Sequence, residues 1–203
     1  MQRENKVFYY DTNNRYSPQE FGDQLYQLLH KELMYRPLVF LCIGSDRATG
    51  DCLGPLLGHK LDCSQNGFQY DVYGTLQNPV HAKNLTETME SIHAKYNNPL
   101  IVAIDASLGK PSHVGYYTLG KGSLKPGAGV NKELPSVGDY YITGIVNMSG
   151  LLDQMLLQTT RLHTVMSLSD RIYEGIRHFF HRFNRTRMIS YNSFQLTSAP
   201  LKK

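Results

Sequence analysis

Apolar positions recur along this chain with two periods, and their succession outlines a fold. Phe21, Leu25, Leu28 and Leu29 fall at helical spacing, with Ser17-Pro18 and Glu20 marking the start of a helix that Arg36-Pro37 stops. "PLVFLCIG" then reads as a short buried strand closed by glycine. Leu53, Leu56, Leu57 and Leu61 return to helical spacing, with Thr49 as the expected N-cap and Pro55 tolerated close to the start. "FQYDVYG" (68–74) is a second strand, and "NPVHAKNL" opens a helix running to about Tyr96. "LIVAIDA" (100–106) is a third buried strand whose single polar residue is Asp105.

Beyond it the pattern weakens. Residues 107–141 are rich in Gly, Pro, Ser and Lys; "VGYYTLG" has strand character, whereas "KGSLKPGAGVNKELPSVG" reads as a long irregular loop, a length usually reserved for function or disorder. "YYITGIVN" (140–147) is the last strand. Two helices are expected after it, 150–166 and 169–184, the second capped by Ser169 and Asp170, and from Arg185 onward no period is visible. Near-continuous apolar strands alternating with helices predict an α/β fold of three layers, α/β/α, around a mostly parallel sheet. A chain of 203 residues suits one such domain.

Composition narrows the setting. Apolar residues make up 41% and charged residues 19%, an ordinary globular balance, and the net charge of +4 is far from a dedicated nucleic-acid binder's. Cys42, Cys52 and Cys63 are odd in number and lack metal-ligand spacing, so they read as reduced thiols in a cytosol-like compartment. The first residues lack the apolar run of a secretory signal, and no stretch is long enough for a membrane span. "RHFFHRFNRTR" (177–187) interleaves cations and aromatics. The simpler expectation is a helix that packs Ile176, Phe179, Phe180 and Phe183 on the core and turns its cations to water, which leaves nucleic acid an unlikely partner. Tyr9 and Tyr10 leave self-association open.

In an open parallel sheet, ligands bind outside the carboxyl ends of the strands. Four segments bring polar groups there: Ser45, Asp46 and Asp51; Thr75, Asn78 and His81; Asp105 and Ser107; Asn147 and Ser149. Each has a plain structural reading, as turn, cap or amide acceptor. The glycines of "GSDRATGDCLG" are too widely spaced for a phosphate cradle, two acids would repel phosphate, and no GxSxG elbow is present. Asp51, His81 and Asp105 are the set available to a divalent metal, although nothing in their spacing signals one. A carboxylate pair remains, in which Asp51 at a helix start would be favoured ionised and Asp105 in an apolar strand end would be the more easily protonated.

"CIGSDRATGDCLGPLLGHKL", "NPLIVAIDASLG" and "KPGAGVNKELPSVGDYYITGIVNMSG" together resemble the YyaC-type sporulation proteins of spore-forming Gram-positive bacteria. The same blocks are similar to the core of the spore germination protease and, more distantly, to the hydrogenase-maturation endopeptidases. The resemblance spans about residues 38–150, leaving 1–37 as an N-terminal extension with the first helix and 151–203 as C-terminal helices and tail. It implies a phosphorylase/hydrolase-like fold. Asp51 in "TGDCLGP" and Asp105 in "AIDAS" fall on the two essential aspartates of the germination protease, and "PGAGVN" on its glycine loop. The later histidine with which the maturation endopeptidases grip nickel has no counterpart at 140–150.

The expected function is thus a sporulation-associated peptide hydrolase in the cytoplasm of the forespore or mother cell, with Asp51 and Asp105 activating water. Ser45, Asp46, His81, Ser107, Lys110, Gly127, Gly129, Asn131, Asn147 and Ser149 would bind a spore protein or peptide. No cofactor is required. The alternative is a catalytically inactive relative that keeps the fold to bind a ligand or peptide, and the geometry of the two aspartates discriminates between them.

Overall fold

The computed structural model describes residues 6–64, 68–126 and 134–197, with side chains as far as residue 186. Six strands form one sheet in the order β1-β5-β6-β4-β2-β3. These are β1 (Val7–Asp11), β2 (Leu38–Cys42), β3 (Tyr70–Tyr73), β4 (Leu100–Gly109), β5 (Tyr116–Lys121) and β6 (Tyr140–Met148). β3, β2, β4 and β6 are parallel, while β5 and β1 add an antiparallel pair at one edge. The fold is the expected three-layer α/β architecture, with that pair as its antiparallel margin.

β2 and the first half of β4 are buried on both faces, which is why their sequences are continuous apolar runs. Leu38, Phe40, Cys42, Val102 and Ile104 face three helices, α1 (Ser17–Leu29), α2 (Leu53–Asp62) and α5 (Leu162–Thr197). Val39, Leu41, Ile101 and Ala103 face α3 (Leu85–Lys95) through Leu85 and Ile92. A six-residue α4 (Asp153–Gln158) follows β6. Among the described residues no helix is long and apolar enough to cross a membrane.

Several local expectations change. Val7–Asp11 of the N-terminal extension is a strand, and Tyr10 is buried against Phe21 and Tyr117 instead of offering a free surface. Ser17 does not cap α1; it is buried and accepts a hydrogen bond from the Tyr117 hydroxyl at 3.0 Å. Thr49 makes no side-chain cap either, and it precedes a 3-10 turn, Gly50–Cys52, that leads into α2. α3 begins at Leu85, because the chain first runs past His81 in a turn closed by Asn84. The break after β6 falls at residues 159–161, so Ser169 and Asp170 lie inside α5, which runs to Thr197 where no period was visible.

α1 and α5 approach closely: a Cβ on Gly22 would lie 2.5 Å from the Gly175 carbonyl. Ile176, Phe179 and Phe183 are buried and Phe180 packs beside them, so the aromatics of the basic run face the core. Its cations are partly engaged, since Arg182 and His178 both reach Asp23 of α1.

Candidate active site

α2 leaves β2 on one face of the sheet and α3 enters β4 on the other, although β2 and β4 are neighbours. That reversal is a topological switch point, and it opens a crevice at the carboxyl ends of the two strands. A cleft of about 340 Å³ lies there, lined by Asp51, His81, Asp105 and Ser107 among others. It falls within the size range of small-ligand sites.

Asp51 arrives by a tight return. Gly44 has φ +139°, and a Cβ there would lie 2.0 Å from the Asp51 carbonyl oxygen, so only glycine allows the strand to pass beneath the returning chain. The loop then closes on itself: the Ser45 amide donates to the Asp51 carbonyl at 3.2 Å and the Asp51 amide to Ala48 at 3.0 Å. The Arg47 amide reaches Ser45 Oγ at 3.3 Å. With these amides turned inward, the loop is not an anion cradle.

Burial pushes the Asp51 carboxyl above the usual carboxylate range, while the Ser45 backbone and the charge of His81 pull it partway back. Asp51 is thereby driven toward its protonated form, where a helix start was expected to favour the ionised one. Asp105, 6% exposed, continues the α3-facing series of Ile101 and Ala103. Its Oδ1 accepts from the Ala106 amide at 2.8 Å, a contact a carboxylate makes well. Just beyond, the register between β4 and β6 shifts at Ser107/Leu108, a bulge of the kind that re-aims side chains beside active sites.

His81 lies in the cleft wall, its amide held by Asn84 Oδ1 at 2.8 Å, and its Nδ1 is buried without a hydrogen-bond partner. Cys52 adjoins Asp51, but burial and the Asp51 charge raise its thiol, which donates to the Thr49 carbonyl at 2.9 Å. It is thereby a poor nucleophile. Among the described residues no group of three His, Cys, Asp or Glu side chains is placed to hold a metal, so Asp51, Asp105 and His81 share the cleft without forming such a set.

The other expected site residues divide. Ser107 is in the cleft, its Oγ donating to the Gly144 carbonyl at 3.3 Å. Ser45, Asp46, Lys110, Asn147 and Ser149 are not among its lining residues. Asp46 and Lys110 are exposed. Asn147 braces α4, its Nδ2 donating to the Leu156 carbonyl at 2.9 Å and to Thr160 Oγ1 at 3.3 Å, and Ser149 bonds the Gly109 carbonyl. Gly127, Gly129 and Asn131 lie outside the described residues. Unforeseen were Gln154, Leu157 and Gln158, which α4 brings to the cleft. Their signal was the helix directly following a strand's carboxyl end.

The family model described as "Protein of unknown function (DUF1256)" matches residues 7–175. A Bacillus subtilis (strain 168) protein, "Uncharacterized protein YyaC", is 50% identical over 141 residues, which is 70% of this chain and 68% of that protein. Among solved structures, the [NiFe] hydrogenase maturation protease HycI from Thermococcus kodakarensis KOD1 covers 74% of this chain and 99% of its own, at 15% identity and a TM-score of 0.36.

Proposed function

The chain belongs to the DUF1256 family, and we propose that its switch-point cleft hydrolyses peptide bonds with two aspartates. The observation that carries the reading is the convergence of Asp51 and Asp105, from separate strand ends, on one cleft where burial drives Asp51 toward its protonated form. Two carboxyls in unlike protonation states are the requirement for acid and base to act together near neutral pH.

In this reading Asp105 takes a proton from a water admitted between the two side chains. The water oxygen bonds to the substrate carbonyl carbon. Asp51 gives its proton to the departing amine as the C–N bond breaks, leaving a carboxylic acid and a free amine. The proton on Asp105 then restores Asp51 through solvent. Gln154, Gln158 and Ser107 are positioned to hold the peptide. No cofactor is needed. The resemblance to the YyaC-type and germination-protease families supports a substrate among spore proteins, met in the forespore or mother cell.

The test is incubation of the purified full chain with extract of sporulating cells, with peptides identified by mass spectrometry. Cleavage should depend on both carboxyls, so that Asp51→Asn and Asp105→Asn each abolish it while keeping the wild-type circular dichroism. Cleavage that survives both substitutions overturns the reading.

A further inference from the structure

β3 is the last strand of the sheet, paired with β2 on one side. The direction of its main-chain groups follows from β2. Ile43 N–H donates to Ile104 of β4 at 2.7 Å, and Gly44 N–H donates toward the β3 side, to Val80, at 2.8 Å. Successive residues of a strand turn their N–H and C=O to opposite sides, so Leu38, Phe40 and Cys42 address β3. In the parallel register that pairs Phe40 with Val72, the ladder then engages the residues flanking Val72 and turns its own N–H and C=O outward. Among the described residues no backbone group meets them.

Alongside this edge runs a polar groove of about 660 Å³ between the end of α2 and the start of α3. Thr75, Gln77 and Asn78 line it, with Asp62 its one acidic group. Gln77 and Asn78 are exposed. His81 lines the groove and also belongs to the wall of the aspartate cleft. Val80 pairs with Ile43 above β3, so the sheet edge itself leads toward that histidine. Groove and cleft are two chambers with a common wall.

We propose that the β3 edge is a docking site for an extended segment of a protein partner, which adds to the sheet as a seventh strand and passes over His81 to the cleft. The occupant is polypeptide in β conformation, because an outward N–H and C=O pair is complementary to main chain whatever its sequence. The side chains it turns into the groove are small or polar, to suit the amides and hydroxyl of Gln77, Asn78 and Thr75. On the peptide-hydrolase reading this segment is the substrate; the docking itself needs only the edge and the groove.

The experiment pans a phage-displayed library of random 12-residue peptides against the immobilised full-length Asp105→Asn variant, then measures binding of an enriched synthetic peptide. The peptide is expected to bind the Asp105→Asn chain and to slow hydrogen exchange at the Val72 amide. Val72→Pro removes only the outward donor, a substitution edge strands accept, and should weaken binding about tenfold, as expected for one lost hydrogen bond. Gln77→Trp, on the exposed rim, fills the groove without touching the ladder and should weaken it similarly, which keeps the test decisive if the proline variant does not fold. No enrichment, or binding untouched by Gln77→Trp and without protection at Val72, overturns the proposal. Binding with these signatures but no cleavage by wild type would sustain the docking site and defeat the hydrolase reading.

Discussion

Asp51 ties the stability of the protein to its chemistry. A carboxyl whose pKa is raised by folding holds its proton more tightly in the native than in the unfolded chain. Its contribution to stability is full below the unfolded carboxyl range, about 3.9, and is lost as pH rises through the raised native value. Asp51→Asn removes that loss. Thermal melts should therefore show the variant more stable than wild type at pH 7, with the gap closing toward pH 3; a variant less stable by a constant amount at both pH values contradicts the desolvation argument. Gly44 gives the complementary case. Alanine there must adopt φ +139° and meet the Asp51 carbonyl, so Gly44→Ala is expected to cost about 1–3 kcal/mol in urea unfolding. Both candidate aspartates could be picked out of the sequence, Asp105 as the one acid ending an apolar strand and Asp51 as an acid in the turn between a strand and a helix. The upward shift of Asp51 was not legible there, since it depends on how the surrounding fold buries a residue of that turn.

The helices around the sheet show where pattern reading reached its limit. Apolar period placed β2, β4, β6 and the start of α1 close to their observed positions, because each buries a full face, whereas α1 ends at Leu29, short of the expected stop at Arg36-Pro37, and of β3 only Tyr70 is buried. Val7–Asp11 buries only Tyr10 fully and pairs antiparallel at an edge, so its alternation is faint. The break between α4 and α5 is set by tertiary contacts invisible to periodicity. Asn147 of β6 holds Leu156 and Thr160 at the end of α4, and Ser169, which looks like a cap, is fully buried within α5. Asn147→Ala should thus loosen the end of α4 at a cost of about 0.5–1.5 kcal/mol, that of a lost hydrogen bond whose acceptor, the Leu156 carbonyl, keeps the Thr160 hydroxyl. Faster hydrogen exchange confined to 153–160 would confirm that role. The α1–α5 contact is equally specific. Gly22→Ala forces a methyl against the Gly175 carbonyl and is expected to destabilise by about 1–3 kcal/mol, seen as a lowered Tm.

At the scale of the whole molecule, the two ends of the parallel strands have different work. At the amino ends Arg36 joins Glu32, Asp139 and the Pro99 carbonyl, at 2.5, 2.9 and 2.6 Å, bracing the segments that enter β2, β4 and β6. At the carboxyl ends the chain reverses across the sheet and leaves the cleft with its two aspartates. The sequence-level resemblance to YyaC-type proteins agrees with the family match and with the 50% identity to the Bacillus subtilis relative. Peptide hydrolysis is the part of the account that chemistry must decide. The direct measurement is mass-spectrometric detection of new peptide termini in extract of sporulating cells treated with wild-type, Asp51→Asn or Asp105→Asn protein. New termini with the wild type alone are expected; the same termini with all three, or none with any, would contradict a site worked by Asp51 and Asp105.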